Sequence, residues 1–266
     1  TGLFPDPYQP PGPGMAMRDD GLALYNVLAV GYALEVLGAQ PQHPIPAVEL
    51  AAPDLCRWLE SLPWRSRAWG AGAAVDAIGT ALYFNARYFT TGHARDTLFG
   101  WLALNQDRAS GLWGSPTRDE GLLQPVNGFY RRTRGTYAQF GVAVPRPAAA
   151  IDSVLLNYRN YGGFSGPTYT ACNLLDTIHP LLLCLGQTDH RRAEAEQIAR
   201  AVIVRAGQRW VHEQGFAFAD GQQPGLQGTE MWLSVVHLAA KLLGEDDAFR
   251  FVPRGVHRTK AVGLGL

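Results

Sequence analysis

His179-Pro180-Leu181-Leu182-Leu183-Cys184-Leu185-Gly186 and His237-Leu238-Ala239-Ala240-Lys241-Leu242-Leu243-Gly244 share one design: a histidine, a mainly apolar run and a closing glycine. Tyr32-Ala33-Leu34-Glu35-Val36-Leu37-Gly38 ends the same way. A glycine after an apolar run is a helix stop signal, because it takes the left-handed conformation without a Cβ penalty. A short Gly-aromatic element recurs between such runs. Its copies are Gly2-Leu3-Phe4, Trp69-Gly70, Gly111-Leu112-Trp113-Gly114, Gly162-Gly163-Phe164 and Gly215-Phe216. Their spacing, about 40 to 70 residues, suits helix-pair repeats. Residues 47–61, 95–106, 148–158 and 191–213 also read as helices, with Pro and Gly at the joints. No run of strands is patterned. The expected class is therefore all-α, built from helical hairpins.

Gln106-Asp107-Arg108-Ala109-Ser110-Gly111-Leu112-Trp113 resembles the QW motif of terpenoid cyclases: a Gln, a short spacer, then Gly-x-Trp. Gly162-Gly163-Phe164-Ser165-Gly166 resembles the Gly-Gly-Phe turns of protein prenyltransferase β subunits. The resemblance implies an α/α toroid (barrel), an inner ring of helices wrapped by an outer one. About five helical-hairpin repeats would make one domain over residues 1–266. The chemistry of those families does not carry over. The Asp-x-Asp-Asp acid motif is missing, since Asp19-Asp20 and Asp246-Asp247 lack the first Asp. Asp176-Thr177-Ile178-His179 has the spacing of one zinc-ligand pair, but the accompanying Asp-x-Cys is missing.

Composition narrows the function classes. The chain has 266 residues, 23 basic and 23 acidic, and no net charge. It therefore carries no electrostatic footprint for nucleic acid or an anionic membrane. The 17% charged and 47% hydrophobic shares exclude disorder and a coiled coil. Nearly all positive charge is Arg, the lysines being Lys241 and Lys260. Cys56, Cys172 and Cys184 are odd in number and widely spaced, which is no disulfide framework. No CxxC zinc pair, P-loop, dinucleotide fingerprint or serine nucleophile elbow occurs. No apolar run reaches membrane-spanning length. The chain opens Thr1-Gly2 without Met, so a removed leader or a piece of a longer protein is expected. Five countable inner helices, where a closed ring often has six, point to a trimmed or partner-completed toroid. Its location and oligomeric state are left open.

Repeat phase points to the site. Counting back from the closing glycine, positions minus 7, minus 10 and minus 14 share one helix face. They are Gly31, Leu28 and Leu24 before Gly38, then Arg134, Arg131 and Asn127 before Gly141, then His179, Asp176 and Cys172 before Gly186, then His237, Ser234 and Glu230 before Gly244. Asp76 and Thr80 give a similar pair in the second repeat. On inner helices these residues would line a central pocket, the expected place for a small-molecule or glycan substrate. Asp176, His179, Glu230 and His237 are the candidate catalytic residues. Asn127, Arg131, Arg134, Tyr137 and Asp76 are the candidate substrate-binding residues.

Plainer readings stand beside these. Tyr130-Arg131-Arg132-Thr133-Arg134 reads equally as a solvated face, and both histidines as packed core residues. Asp176 could pair with Arg131 or Arg134, and Glu230 could cap a helix. Trp69, Trp113, Trp210 and Trp232 would tie helices together, or offer sugar-stacking faces.

The leading expectation is an enzyme acting on a polar, carbohydrate substrate. One mechanism is glycoside hydrolysis, with Asp176 and Glu230 (or Asp76) as the carboxylate pair. The other is uronate β-elimination, with Arg131 or Arg134 on the acid group, His179 or Tyr137 taking the proton, and Asn127 polarising the carboxylate. Alternatives are a cyclase- or prenyltransferase-like enzyme without the usual motifs, and a non-catalytic binding or scaffold module. No cofactor is expected. A metal held by Asp176, His179, Glu230 and His237 is the weaker alternative, on ligand type alone.

Overall fold

A computed structural model describes Phe4, Tyr8, residues 21–253 and residues 257–259. Residues 5–7 and 9–17 of the proline-rich N-terminal arm lie outside the described residues. Within these limits the chain is all-helical, with isolated bridges and no strand. Helices α1 (Gly21–Val36), α3 (Ala68–Phe89), α5 (Leu123–Thr133), α7 (Ala171–Leu185) and α9 (Leu226–Leu243) pack against one another in succession. Between them in the chain come α2 (Ala52–Ser61), α4 (Ala94–Asn105), α6 (Pro147–Asn160) and α8 (Arg192–Arg209). Of these, α2 packs on α4, α6 on α7 and α8 on α9. No described helix is long and apolar enough to cross a membrane.

The two sets differ as their sequences require. Residues 75–85 of α3 are buried on every side. Helix α8 buries one stripe, Ala195, Ile198, Ala199, Val202 and Ala206, the spacing of a helix with one face in solvent.

Glycines set the closest helix pair. A Cβ on Gly72 would strike the Gly128 carbonyl, and one on Gly79 the Gly135 carbonyl. Cβ atoms on Gly128 and Gly135 would strike the carbonyls of Ala68 and Asp76. Both helices repeat glycine at a seven-residue interval, so one face of each brings backbone against backbone over two turns. After Thr133, α5 loosens into a π-helical segment, Arg134–Ala138.

The joints explain several departures from expectation. The 47–61 stretch splits into a 3-10 turn, Pro46–Val48, and α2, which starts at Ala52 with Pro53 in its first turn. Proline is tolerated there because the first helical N–H groups lack partners. Helix α8 stops at Arg209, where Trp210 turns extended and lets Phe216 pack between Trp210 and Trp232. Trp69-Gly70 lies in the first turn of α3 and is no turn between helices. Gly38, Gly141 and Gly244 close their runs at positive φ, whereas Gly186 has φ −67° and needs no glycine freedom.

Gln106 and Trp113 fasten the α4–α5 joint. The Gln106 side-chain amide donates to the Gly111 carbonyl at 2.7 Å, and its oxygen accepts from Arg146 at 2.8 Å. Trp113 Nε1 donates to the Leu102 carbonyl at 2.8 Å, near the end of α4. The indole face then covers Arg132, whose guanidinium carbon lies 3.9 Å from the ring centroid, with Trp64 at 5.5 Å. Arg132 is fully buried and its three nitrogens have no hydrogen-bond partner among the described residues. Burial pulls its pKa down to about 9, and the aromatic faces supply the opposing cation–π attraction.

Candidate functional site

The packing of α3 on α5 places two charges opposite each other. Arg134 Nη2 and Asp76 Oδ2 form an ion pair, and Arg134 Nε donates to Oδ1 at 3.4 Å. Both side chains are buried. Burial pushes the Asp76 carboxyl above the usual carboxylate range, and the guanidinium beside it pulls the other way. The Arg131–Arg134 run is therefore no solvated face. Arg132 lies in its tryptophan cage, Arg134 in its ion pair, and Arg131 alone stays half-buried.

Tyr130 lies one helical turn before Arg134, on the same side. Its hydroxyl accepts from Arg134 Nη1 at 3.0 Å and lies 2.6 Å from Nδ1 of His257. Nε2 of neutral His257 faces the Glu230 carboxylate, which only accepts, so the ring proton sits on Nε2 and Nδ1 accepts from the Tyr130 hydroxyl. That Nε2 is 3.1 Å from Glu230 Oε1. Ser234, one turn along α9, donates to the same oxygen at 3.2 Å. Arg258 reaches α1, with Nη2 2.7 Å from Glu35 Oε2 and its guanidinium carbon 4.9 Å from the Tyr32 ring centroid. The Arg258 carbonyl accepts from His179 Nε2 at 2.9 Å. Residues 257 and 258 thus touch α1, α5, α7 and α9 at once.

Two carboxylates are left with an uncommitted oxygen. Asp176 is buried, and its Oδ2 has no hydrogen-bond partner among the described residues. Burial raises its pKa to about 7, against the pull of Arg131 and Arg134. No ion pair joins it to either arginine. Pro180 sits inside α7 and offers no N–H to the Asp176 carbonyl, which loosens the helix at this level. Glu230 behaves oppositely. Burial opposes its ionisation, but bonds from His257 and Ser234, with the charge of Arg134, hold its carboxyl below the usual range. Its Oε1 takes both bonds, and Oε2 takes none among the described residues. The two carboxylates belong to the same end of neighbouring helices. Cys172 and Met231, near the two acids in sequence, meet with sulfurs 3.5 Å apart.

The other expected site residues fall as follows. Asn127 is buried, and its Oδ1 has no hydrogen-bond partner among the described residues. His179 is buried edge-on to the Tyr130 ring, 5.0 Å between centroids. Burial lowers its pKa to about 3, so it holds a backbone carbonyl and stays neutral near pH 7. His237 does not join the acids; it lies two turns along α9 from Glu230, against Phe251 at 6.1 Å. Tyr137 also falls outside the centre. The π-helical segment turns it toward Phe99 of α4 and Trp113, at 5.3 and 5.9 Å. Among the described residues no group of three or more His, Cys, Asp or Glu is arranged to hold a metal. Asp176, His179, Glu230 and His237 thus do not assemble as a ligand set.

Tyr130 and His257 are additions to the expected residues. Tyr130 had a signal, since it precedes Arg134 by four positions. His257 had none, because it follows the last repeat.

Compared with known proteins, the chain matches no family model, no curated protein and no solved structure.

Proposed function

We propose that the protein is an acid–base enzyme acting on a polar, carbohydrate-type substrate, with Asp176 as proton donor and Glu230 as proton acceptor or nucleophile. One observation carries this reading: two carboxylates on neighbouring helices have pKa values pushed apart, one to about 7 and one below the usual range. Near pH 6 Asp176 holds its proton while Glu230 is ionised, the division of labour that glycoside cleavage needs. Asn127 and Arg131 supply a hydrogen-bonding group and a charge on the adjoining helix. The packing of α1, α3, α5, α7 and α9 in sequence, bridged by residues 257 and 258, supports an α/α toroid with these residues at its inner face.

The test is a screen against neutral and uronate-containing glycans, following both reducing ends and unsaturated product. Activity should need ionised Glu230 and protonated Asp176. It should fall above about pH 7, where Asp176 loses its proton, and again at low pH as Glu230 gains one. Asp176→Asn and Glu230→Gln should each lower kcat by about 10²–10⁴-fold. Activity surviving both substitutions refutes the assignment.

A non-catalytic module is the second reading, favoured by the buried Asp76–Arg134 pair. In that case the screen finds no turnover, and both substitutions are silent.

A further inference from the structure

Beside Arg131 a surface recess of 310 Å³ opens between α1, α3 and α5. Its lining includes Tyr25, Arg67, Trp69, Gln124 and Arg131, and no acidic residue. No ion pair occupies Arg67 or Arg131 among the described residues, although most other arginines have a carboxylate partner. Arg131 Nε is buried without a hydrogen-bond partner. Two guanidinium groups at one recess, neither in an ion-pair contact among the described residues, suit an anion, and the planar fork of Arg matches a carboxylate.

The recess also has an apolar side. Trp69 is half-buried and Tyr25 is 56% exposed. Gly70 beside it has nothing within 4 Å of where a Cβ would stand. The Gln124 side-chain oxygen accepts from the Trp69 backbone N–H at 3.4 Å, which directs its amide hydrogens elsewhere. An aromatic face, an amide donor and two guanidiniums suit a ring that is flat on one side, rich in hydroxyls and negatively charged. Arg131 links the recess to the carboxylates, because its charge acts on Asp176.

We propose that this recess is a subsite for a uronic acid residue, with Arg67 and Arg131 on its carboxylate and Trp69 beneath its ring. The proposal rests on the carbohydrate reading above and names the substrate as an acidic glycan.

The experiment titrates the full chain carrying Asp176→Asn, in which bound glycan persists, with trigalacturonate and with maltotriose. Calorimetry and tryptophan fluorescence follow binding. Trigalacturonate should bind at least tenfold more tightly and perturb the fluorescence of Trp69. Arg67→Gln should weaken it about 10- to 100-fold while leaving maltotriose unchanged, and Arg131→Gln should weaken it as much, with a smaller loss for maltotriose. Arg67 is exposed, so its substitution tests binding without threatening the fold. Equal affinity for the two trimers, or trigalacturonate binding unaltered in both arginine variants, overturns the proposal. So does equally tight binding of a sulfated maltotriose, which would show an anion site blind to carboxylate. Trigalacturonate binding without turnover of any glycan by the wild-type chain keeps the subsite and removes the enzyme reading. Turnover of neutral glycans with no preference for acidic ones does the reverse.

Discussion

Replacing Asp76 by leucine leaves Arg134 charged and buried opposite an apolar group. The Asp76 carboxylate is the partner of two Arg134 nitrogens, and the Tyr130 hydroxyl, shared with His257, is the remaining one. Breaking such a pair from one side costs about 3–5 kcal/mol. Unfolding entropy near 2.1 cal/mol/K per residue over 266 residues gives roughly 0.6 kcal/mol per degree. Asp76→Leu should therefore lower Tm by about 5–9 °C. The double variant Asp76→Leu/Arg134→Met should behave differently. Burial raises the Asp76 carboxyl despite the arginine, whereas the carboxylate holds the Arg134 pKa above its ordinary value; burying both charges still costs desolvation that a packed apolar pair does not incur. Removing both charges should restore wild-type stability or exceed it by about 1–4 kcal/mol. Circular dichroism melts and guanidinium titrations of the four proteins of this cycle measure the effect. A single variant within 1 kcal/mol of wild type, or a double variant no better than the single, refutes this account of the pair.

Gly128→Ala should destabilise by about 1–3 kcal/mol, because its Cβ meets the Ala68 carbonyl. Gly100→Ala, on an open face of α4, should stabilise by about 0.5–1 kcal/mol; both are read from urea midpoints. Trp113→Ala should cost about 3–5 kcal/mol by opening the cage, whereas Arg132→Met should be neutral or stabilising, since it removes a buried cation without hydrogen bonds. The opposite order in denaturant melts would show that Arg132 anchors the cage. His257→Ala should cost about 1–3 kcal/mol by leaving the Tyr130 hydroxyl without its acceptor. It should also raise the Glu230 pKa toward the ordinary range, a shift that carboxyl NMR titration would detect.

The helices were legible because their signals are local. Apolar runs with closing glycines mark the ends at Gly38, Gly141 and Gly244, and repeat phase put Asp76 and Arg134 on faces that meet. Tyr137 lies off the counted positions, and the π-helical segment beyond Thr133 turns it toward Phe99 and Trp113. The Gly72–Gly128 and Gly79–Gly135 contacts join separate repeats, so no single helix pattern displays them. Arg132 shares a charge run with Arg131 and Arg134, yet helical rotation sends it to the tryptophans. The contacts of His257 depend on where a segment returns in space, which periodicity does not encode.

Residues 257 and 258 also impose an order in time. Arg258 pairs with Glu35 across 223 positions of chain. At a synthesis rate of ~5–20 residues per second, roughly 11–45 s separate the emergence of the two partners. Through that interval the helices can form and stack, but Glu35, Tyr130, His179 and Glu230 must wait for their shared neighbours. The bonds made by His257 and Arg258 can form only after the helices they join have been synthesised. Nascent chains stalled before His257 should hold native helix content while Glu35, Tyr130, His179 and Glu230 lack these bonds.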